Sequence, residues 1–244
     1  MDRMIYLSMA GAKAMMQRQD VLAHNLANAA TPGFRAEIAA FRAVPVRGDG
    51  ASTRVYALES TPGHNEAPGP VQTTGRALDV ALAGGAWLAV QGLDGTEAYT
   101  RGGALDVDAA GQLVTRSGLP VLGDGGPITV PANARIDIGA DGSVSAKVGD
   151  ARAQVVGRLK LVTPEPGALA RGDDGLFRAA AGDLDADPAA RVQQGALEGS
   201  NVSPVEAMVA MISAARQFEQ QMKLLQAAEQ KEQAAAKLLS AGAG

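Results

Sequence analysis

The chain contains no cysteine, which excludes disulfides, thiol catalysis and cysteine-based zinc sites. That absence fits a protein that works outside the cytosol without oxidative folding. Aromatic residues make up only 3% of the chain, with a single Trp, few for a compact enzyme or for a surface that stacks sugars. The only two histidines are His24 and His64, and neither falls in a metal or catalytic-triad motif. Basic residues form no stripe and the net charge is −4, so nucleic acid has no electrostatic footprint to bind. No run approaches the ~20 apolar residues of a membrane span. Gly123-Asp124-Gly125-Gly126-Pro127 lacks the Lys and Ser/Thr of a phosphate loop. Asp183-Leu184-Asp185-Ala186-Asp187 lacks the central Gly and distal Glu of a calcium loop. The sequence therefore predicts no catalytic residue, no cofactor, no metal and no small-molecule substrate.

What is present separates into zones. In the first zone Ile5, Met9, Ala12, Met16 and Leu26, with Met15 and Leu22 beside them, fall at helical steps between polar Lys13, Arg18 and Asp20. This spacing predicts an amphipathic helix, stopped at Thr31-Pro32-Gly33 because Pro lacks a donor and Gly tolerates positive φ. Leu22 and Leu26 share one face. Asn25 and Asn28 are suited to bridge backbone groups where the helix ends, with Phe34 anchoring the departing chain.

The middle of the chain changes period. Short apolar or alternating runs, such as Ala77–Leu82, Trp87–Val90, Arg135–Ile138 and Val155–Val162, are punctuated by Asp94-Gly95, Asp124-Gly125, Asp141-Gly142 and Asp174-Gly175. Such Asp-Gly pairs favour tight hairpins and predict an antiparallel β domain. Residues 48–70, rich in Gly, Pro, Ser and Thr, read as a loop or extended arm.

Near the C-terminus Ser203-Pro204-Val205-Glu206 carries a capping Ser, Pro at the first helical position and Glu at the third. Met208, Met211, Ala215, Phe218, Met222 and Leu225 then follow a seven-residue repeat, which weakens at Glu229 and Glu232 and recovers at Ala236 and Leu239. A seven-residue repeat keeps one stripe against a partner helix. The expected fold is α+β, with long terminal amphipathic helices pairing as a coiled coil around a central, antiparallel, mainly-β domain. Its expected divisions are 1–35 as N-terminal helix, 36–75 as arm, 76–198 as β domain and 199–244 as C-terminal helix. The candidate assembly interface comprises Ile5, Met9, Leu22, Asn25, Leu26, Asn28, Phe34, Met208, Met211, Ile212, Phe218, Met222 and Leu225.

The run Asn25-Leu26-Ala27-Asn28-Ala29-Ala30-Thr31-Pro32-Gly33-Phe34 resembles the N-terminal signature of flagellar rod and hook proteins. Leu197-Glu198-Gly199-Ser200-Asn201-Val202, leading into Glu206, Met208, Met211-Ile212, Arg216 and Phe218-Glu219, resembles their C-terminal signature. Leu78–Leu82, Tyr99-Thr100-Arg101, Gly111–Thr115 and Pro120–Gly123 follow in the family's order. Met1–Tyr6, Ala86–Gln91 and Gly157–Val162 are most similar to the proximal-rod type, because related subunits carry a Gly-Phe-Phe element where this chain has Gly85-Ala86-Trp87-Leu88. The resemblance implies a subunit of the periplasmic axial rod that self-associates, transmits torque and catalyses nothing. It also implies other rod and axial proteins as partners and departure through the flagellar type III export apparatus without a cleaved signal. Two alternatives remain open: a distal-rod or hook-type subunit, and a secreted β-domain protein that binds cell wall.

Overall fold

A computed structural model describes the backbone over residues 2–45 and 55–241, and side chains within 8–42, 44–45, 63–231 and 233–234. The fold is α+β, with two helices and a mainly antiparallel β body. The chain divides into two compact units, one helical and one β.

The helical unit comprises 1–27, 37–63 and 203–244. It holds α1 (Asp2–Ala27), α2 (Pro204–Ala241) and the paired strands β1 (Glu37–Pro45) and β2 (Val55–His64), the last residue of β2 lying beyond the unit. The 38-residue α2 is about 57 Å long at 1.5 Å per residue. Its start follows the expected cap, because the Ser203 hydroxyl accepts the Glu206 N–H and the Ser203 carbonyl accepts that of Ala207. The two helices pack against each other, and α1 also packs on β1.

The buried row of α2 differs from the expected stripe in one half. Met211, Ala215, Phe218 and Leu225 are half-buried, as the repeat predicts, but Ala207, Ala214, Gln221 and Ala228 are buried or half-buried with them. Met208 and Met222 turn outward. Both companion rows are mostly apolar, so periodicity alone does not choose between them. Close approach chooses the row of small side chains. Ala207 and Ala214 are buried, and a Cβ added to Gly11 on α1 would lie 3.2 Å from the amide carbon of Gln221, a close contact with the end of that side chain.

The β unit comprises 28–36 and 64–202. Its strands are β3 (Val71–Thr73), β4 (Val80–Leu82), β5 (Trp87–Gln91), β6 (Glu97–Thr100), β7 (Leu105–Val107), β8 (Leu113–Thr115), β9 (Leu122–Gly123) and β10 (Gly126–Pro127). Then come β11 (Ala134–Ile138), β12 (Ser143–Val148), β13 (Gln154–Arg158), β14 (Leu161–Val162), β15 (Leu169–Arg171), β16 (Phe177–Ala179), β17 (Val192–Gln194) and β18 (Ala196–Glu198). The largest sheet has the order β14-β5-β6-β16-β15, beside the meander β11-β12-β13. The segment 36–75, read above as an arm, contains β1, β2 and β3, while 46–54 lie outside the described residues.

Strand alternation builds two cores from one strand. Leu88 and Val90 of β5 face the main cluster with Val80, Leu105, Leu113 and Val144. Trp87 and Ala89 face a second cluster with Tyr99, Val162, Leu169 and Phe177. Three of the chain's eight aromatic side chains lie there. Tyr99 donates its hydroxyl proton to Glu97 Oε1 (2.8 Å) and accepts the Leu184 N–H (2.7 Å), and burial pushes its pKa up.

Two of the Asp-Gly turns share one device. Asp94 Oδ1 accepts the N–H and hydroxyl of Thr96, and Asp141 Oδ1 accepts those of Ser143. The glycines between, Gly95 and Gly142, take the positive φ that closes each turn. Bonds to the Thr96 and Ser143 hydroxyls hold Asp94 and Asp141 below the usual carboxylate range, and Arg178 does the same for Asp174. A depressed folded pKa adds stability that is fully present above the unfolded value near pH 4 and is lost as pH falls through the folded one. The urea midpoint should therefore hold between about pH 5 and 7 and fall below about pH 4. The double variant Asp94→Ala/Asp141→Ala should show a shallower fall in the same titration.

Candidate functional site

The two signature runs, far apart in sequence, meet in the β unit. The Asn28 carbonyl accepts the Thr31 N–H, and the Thr31 hydroxyl donates to Asn28 Oδ1 (3.1 Å). This turn delivers Gly33, whose N–H donates to the Glu198 carbonyl at 2.8 Å. Gly33 has φ 72°, and a Cβ there would sit 2.3 Å from the Arg101 carbonyl carbon, so no other residue fits. The Phe34 carbonyl accepts the Asn201 N–H, and Asn201 Oδ1 accepts that of Ala36 at 2.7 Å. Asn201 Nδ2 donates to the Asn65 and Ala67 carbonyls. One asparagine thus ties three stretches of chain.

At the centre lies Glu198, whose side chain is 1% exposed. Its Oε1 accepts Arg35 Nη2 at 2.7 Å and the Gly69 N–H at 2.8 Å. Its Oε2 accepts Arg101 Nε at 2.8 Å and also Arg101 Nη2. Arg101 spends its remaining donors on the carbonyls of Leu82, Gly84 and Ala86, so all of its N–H groups have partners. Desolvation lowers the Arg101 pKa, against the opposing pull of Glu198. Arg35 is different: its Nε and Nη1 are buried without a hydrogen-bond partner.

An aromatic layer sits beside this clamp. The His64 ring meets Phe177 at 4.7 Å and Trp87 at 6.4 Å, both edge-on. The Arg171 guanidinium lies 4.4 Å over Phe34, a cation–π contact, and Arg171 Nη1 donates to the Arg35 carbonyl. Burial lowers the His64 pKa, with Glu66 opposing. Sequence reasoning placed His64 in an arm without a role. Its aromatic partners come from distant strands, and no local pattern pairs them.

The candidate interface residues divide into groups. In the helical unit Asn25 is buried and bridges Glu37, Nδ2 donating to its carbonyl at 2.9 Å and Oδ1 accepting its N–H at 2.8 Å. His24 Nδ1 lies 2.9 Å from Glu37 Oε2. Leu22, Leu26, Met211, Phe218 and Leu225 are half-buried, whereas Met9, Met208, Ile212 and Met222 are exposed. The Ile5 side chain lies outside the described residues, as do those of Glu232, Ala236 and Leu239. In the β unit Asn28 is half-buried and Phe34 is buried. Arg101 and Glu198 were legible only as parts of the family-like runs, and Arg35, one residue past the N-terminal run, was not singled out. Their ion-pair geometry has no sequence signal because the partners are so far apart along the chain.

Removing one partner of a buried ion pair leaves an uncompensated charge. Glu198→Ala should therefore cost about 3–5 kcal/mol, read as a lowered urea midpoint with unchanged slope. Replacement of exposed Glu219 should leave the midpoint in place.

Residues 5–35 match the family described as flagella basal body rod protein. Residues 81–146 match the flagellar hook protein FlgE/F/G D1 domain, and 193–238 match the flagellar basal body rod FlgEFG protein C-terminal family. The chain is 50% identical to the flagellar basal-body rod protein FlgF of Salmonella typhimurium, over 98% of this chain and 99% of that protein. It is 34% identical to the FlgF of Caulobacter vibrioides, over 92% and 93% of the two chains. It is 30% identical to the flagellar basal-body rod protein FlgG of Bacillus subtilis, over 92% and 94%. With family matches at both signature runs and in the β body, and relatives covering nearly its full length, the chain belongs to the flagellar basal-body rod protein family.

Proposed function

We propose that this protein is a structural subunit of the flagellar basal-body rod, of the proximal kind, which polymerises through its helical unit and carries torque without catalysing a reaction. The observation that carries this reading is a second apolar face on α2. Val205, Met208, Val209 and Ile212 follow i, i+3, i+4, i+7 spacing, and each is more than half exposed. On α1, Met9 and Met16, seven residues apart, are both 54% exposed. A helix with one apolar row packed and another in water is built for a further partner. Met tolerates an imperfect fit, which suits contacts that must repeat around an axis. A head-to-tail contact that does not close produces an open filament.

The packed row of α2, alternating in steps of three and four residues from Ala207 to Ala228, supports coiled-coil pairing with α1. The proximal assignment is supported by 50% identity to a relative named FlgF, against 30% to one named FlgG. On this reading the partners are further copies and the neighbouring rod and axial proteins. The site of work is the periplasmic rod, reached through the flagellar type III export apparatus without signal cleavage. A cell-wall binding role is disfavoured because Phe34, Trp87, Tyr99 and Phe177 are buried in the β unit, where none forms a platform for sugars.

Val209→Glu and Ile212→Glu should each abolish swimming in a deletion strain, and isolated basal bodies should show an incomplete rod by electron microscopy. The purified variants should keep the parent's helix content and melting temperature, because surface changes of this kind usually move stability by less than about 0.5 kcal/mol. Normal rods in both variants would overturn the assembly role of this face. Phe218→Asp lies in the packed row and should lower the helix content of the free subunit as well.

A further inference from the structure

One end of β6 carries a rigid apolar knob, and the other end opens on an apolar groove. The knob is Leu93, 93% exposed at the tip of the β5–β6 hairpin. Its turn is locked by its own bonds. The Gly92 N–H donates to the Thr96 carbonyl at 2.8 Å, the Gly95 N–H donates to the Gly92 carbonyl at 3.0 Å, and Asp94 caps Thr96. The groove, about 350 Å³, begins at Thr100, the last residue of the same strand. Buried Ala104, Leu119 and Leu176 and half-buried Pro32 line it, with Arg116 exposed beside them. Knob and groove both belong to the β unit.

We propose, resting on the reading of the chain as a polymerising subunit, that this groove receives Leu93 of a second copy and so joins β units head to tail. An exposed leucine alone calls for no partner, and an apolar groove alone names no occupant. Size, charge and direction join the two. An apolar cavity of roughly 150 Å³ accepts a benzene ring, so the groove has room for the leucine side chain and the turn that carries it. Because the turn is already fixed, little ordering entropy opposes its entry.

The charges at the two ends are opposite. Arg178 lies between Asp94, at 3.1 Å, and Asp174, at 2.8 Å, so this cluster beside the knob keeps one negative charge in excess. The Asp94 side chain is 51% exposed. Arg116 is the one charged residue lining the groove, and it enters no ion pair among the described residues. Direction follows from the sheet. Phe177 pairs with Tyr99 in antiparallel register, which sets Arg178 toward the hairpin tip and Leu176 toward the groove. The chain between them runs along β6 for about 20 Å at ~3.3 Å per residue. A contact between unlike ends is heterologous, and ends that face opposite ways along one strand extend into a row. One buried leucine with one exposed ion pair gives a contact on the order of 1 mM. Free subunits therefore stay apart, and the contact counts once copies are held along an axis.

The absence of cysteine lets one photo-crosslinker be placed without competition. Full-length chain carrying Ser117→Cys, an exposed position at the groove, is labelled with benzophenone maleimide. It also carries Leu93→Ser, so that it can receive a knob but not supply one. It is irradiated with unlabelled chain at about 1 mM. A covalent dimer should form, with the cross-link mapped by mass spectrometry to residues 91–97 of the unlabelled copy. Leu93→Ser in the unlabelled copy should cut its yield at least fivefold and leave the melting temperature in place, since the side chain is in water. Arg116→Glu in the labelled copy should lower the yield at least twofold. Val209→Glu in both copies removes the helical contact proposed above and should leave the yield unchanged, so the two contacts fail or hold separately. A yield untouched by Leu93→Ser, a cross-link mapped elsewhere, a dimer lost with Val209→Glu, or no dimer at this concentration would each overturn the proposal.

Discussion

The β unit depends on the burial of one carboxylate between two guanidinium groups. Glu198 stands at the end of β18, Arg35 follows the turn after the first helix, and Arg101 follows β6. The backbone of Glu198 also receives the Gly33 N–H and pairs β18 with β3. A buried ion pair is weak evidence for stability, since desolvation offsets most of its attraction. Its value here is positional. Arg101 reaches Glu198 only with Leu82, Gly84 and Ala86 presenting their carbonyls to it, so the clamp fixes the end of β4 and the turn before β5.

This arrangement explains why short strands suffice. Many strands of the unit have only two or three residues, too few to hold a register by ladder bonds alone. Register is set instead by Asp-Gly turns that cap themselves through Thr96 and Ser143, and by side chains such as Asn201 that bond several backbones at once. The cost is a unit whose parts are held by a few polar residues at defined points. Its aromatic residues are concentrated on one side of β5, where Trp87, Tyr99 and Phe177 pack with Leu169.

The helical unit follows a different logic. Ala12, Ala14, Ala207 and Ala214 are buried, and Gly11 closes on Gln221, so the helices approach through small side chains and leave larger apolar ones outside. An interior made of alanine gains little from burial, since the hydrophobic effect scales with the apolar area removed from water. The exposed Val, Ile and Met side chains hold the area that only further association can bury.

The sequence by itself determined the fold class, the capped start of α2, the hairpin turns and membership of the family. Each rests on local chemistry, such as Ser203-Pro204-Val205-Glu206 or Asp141-Gly142, or on motifs read in order. It also marked Asn25, Phe34 and Glu198 by their place in signature runs. Tertiary structure alone decided that Ala207 and Ala214 accompany Phe218 while Met208 and Met222 turn outward, because two adjacent rows were both apolar. It likewise decided that His64 joins Trp87, and that Arg35 keeps unspent donors beside Glu198. His64 and Trp87 are 23 positions apart and Arg35 and Glu198 are 163 apart, and a one-dimensional pattern records neither their distance in space nor their burial.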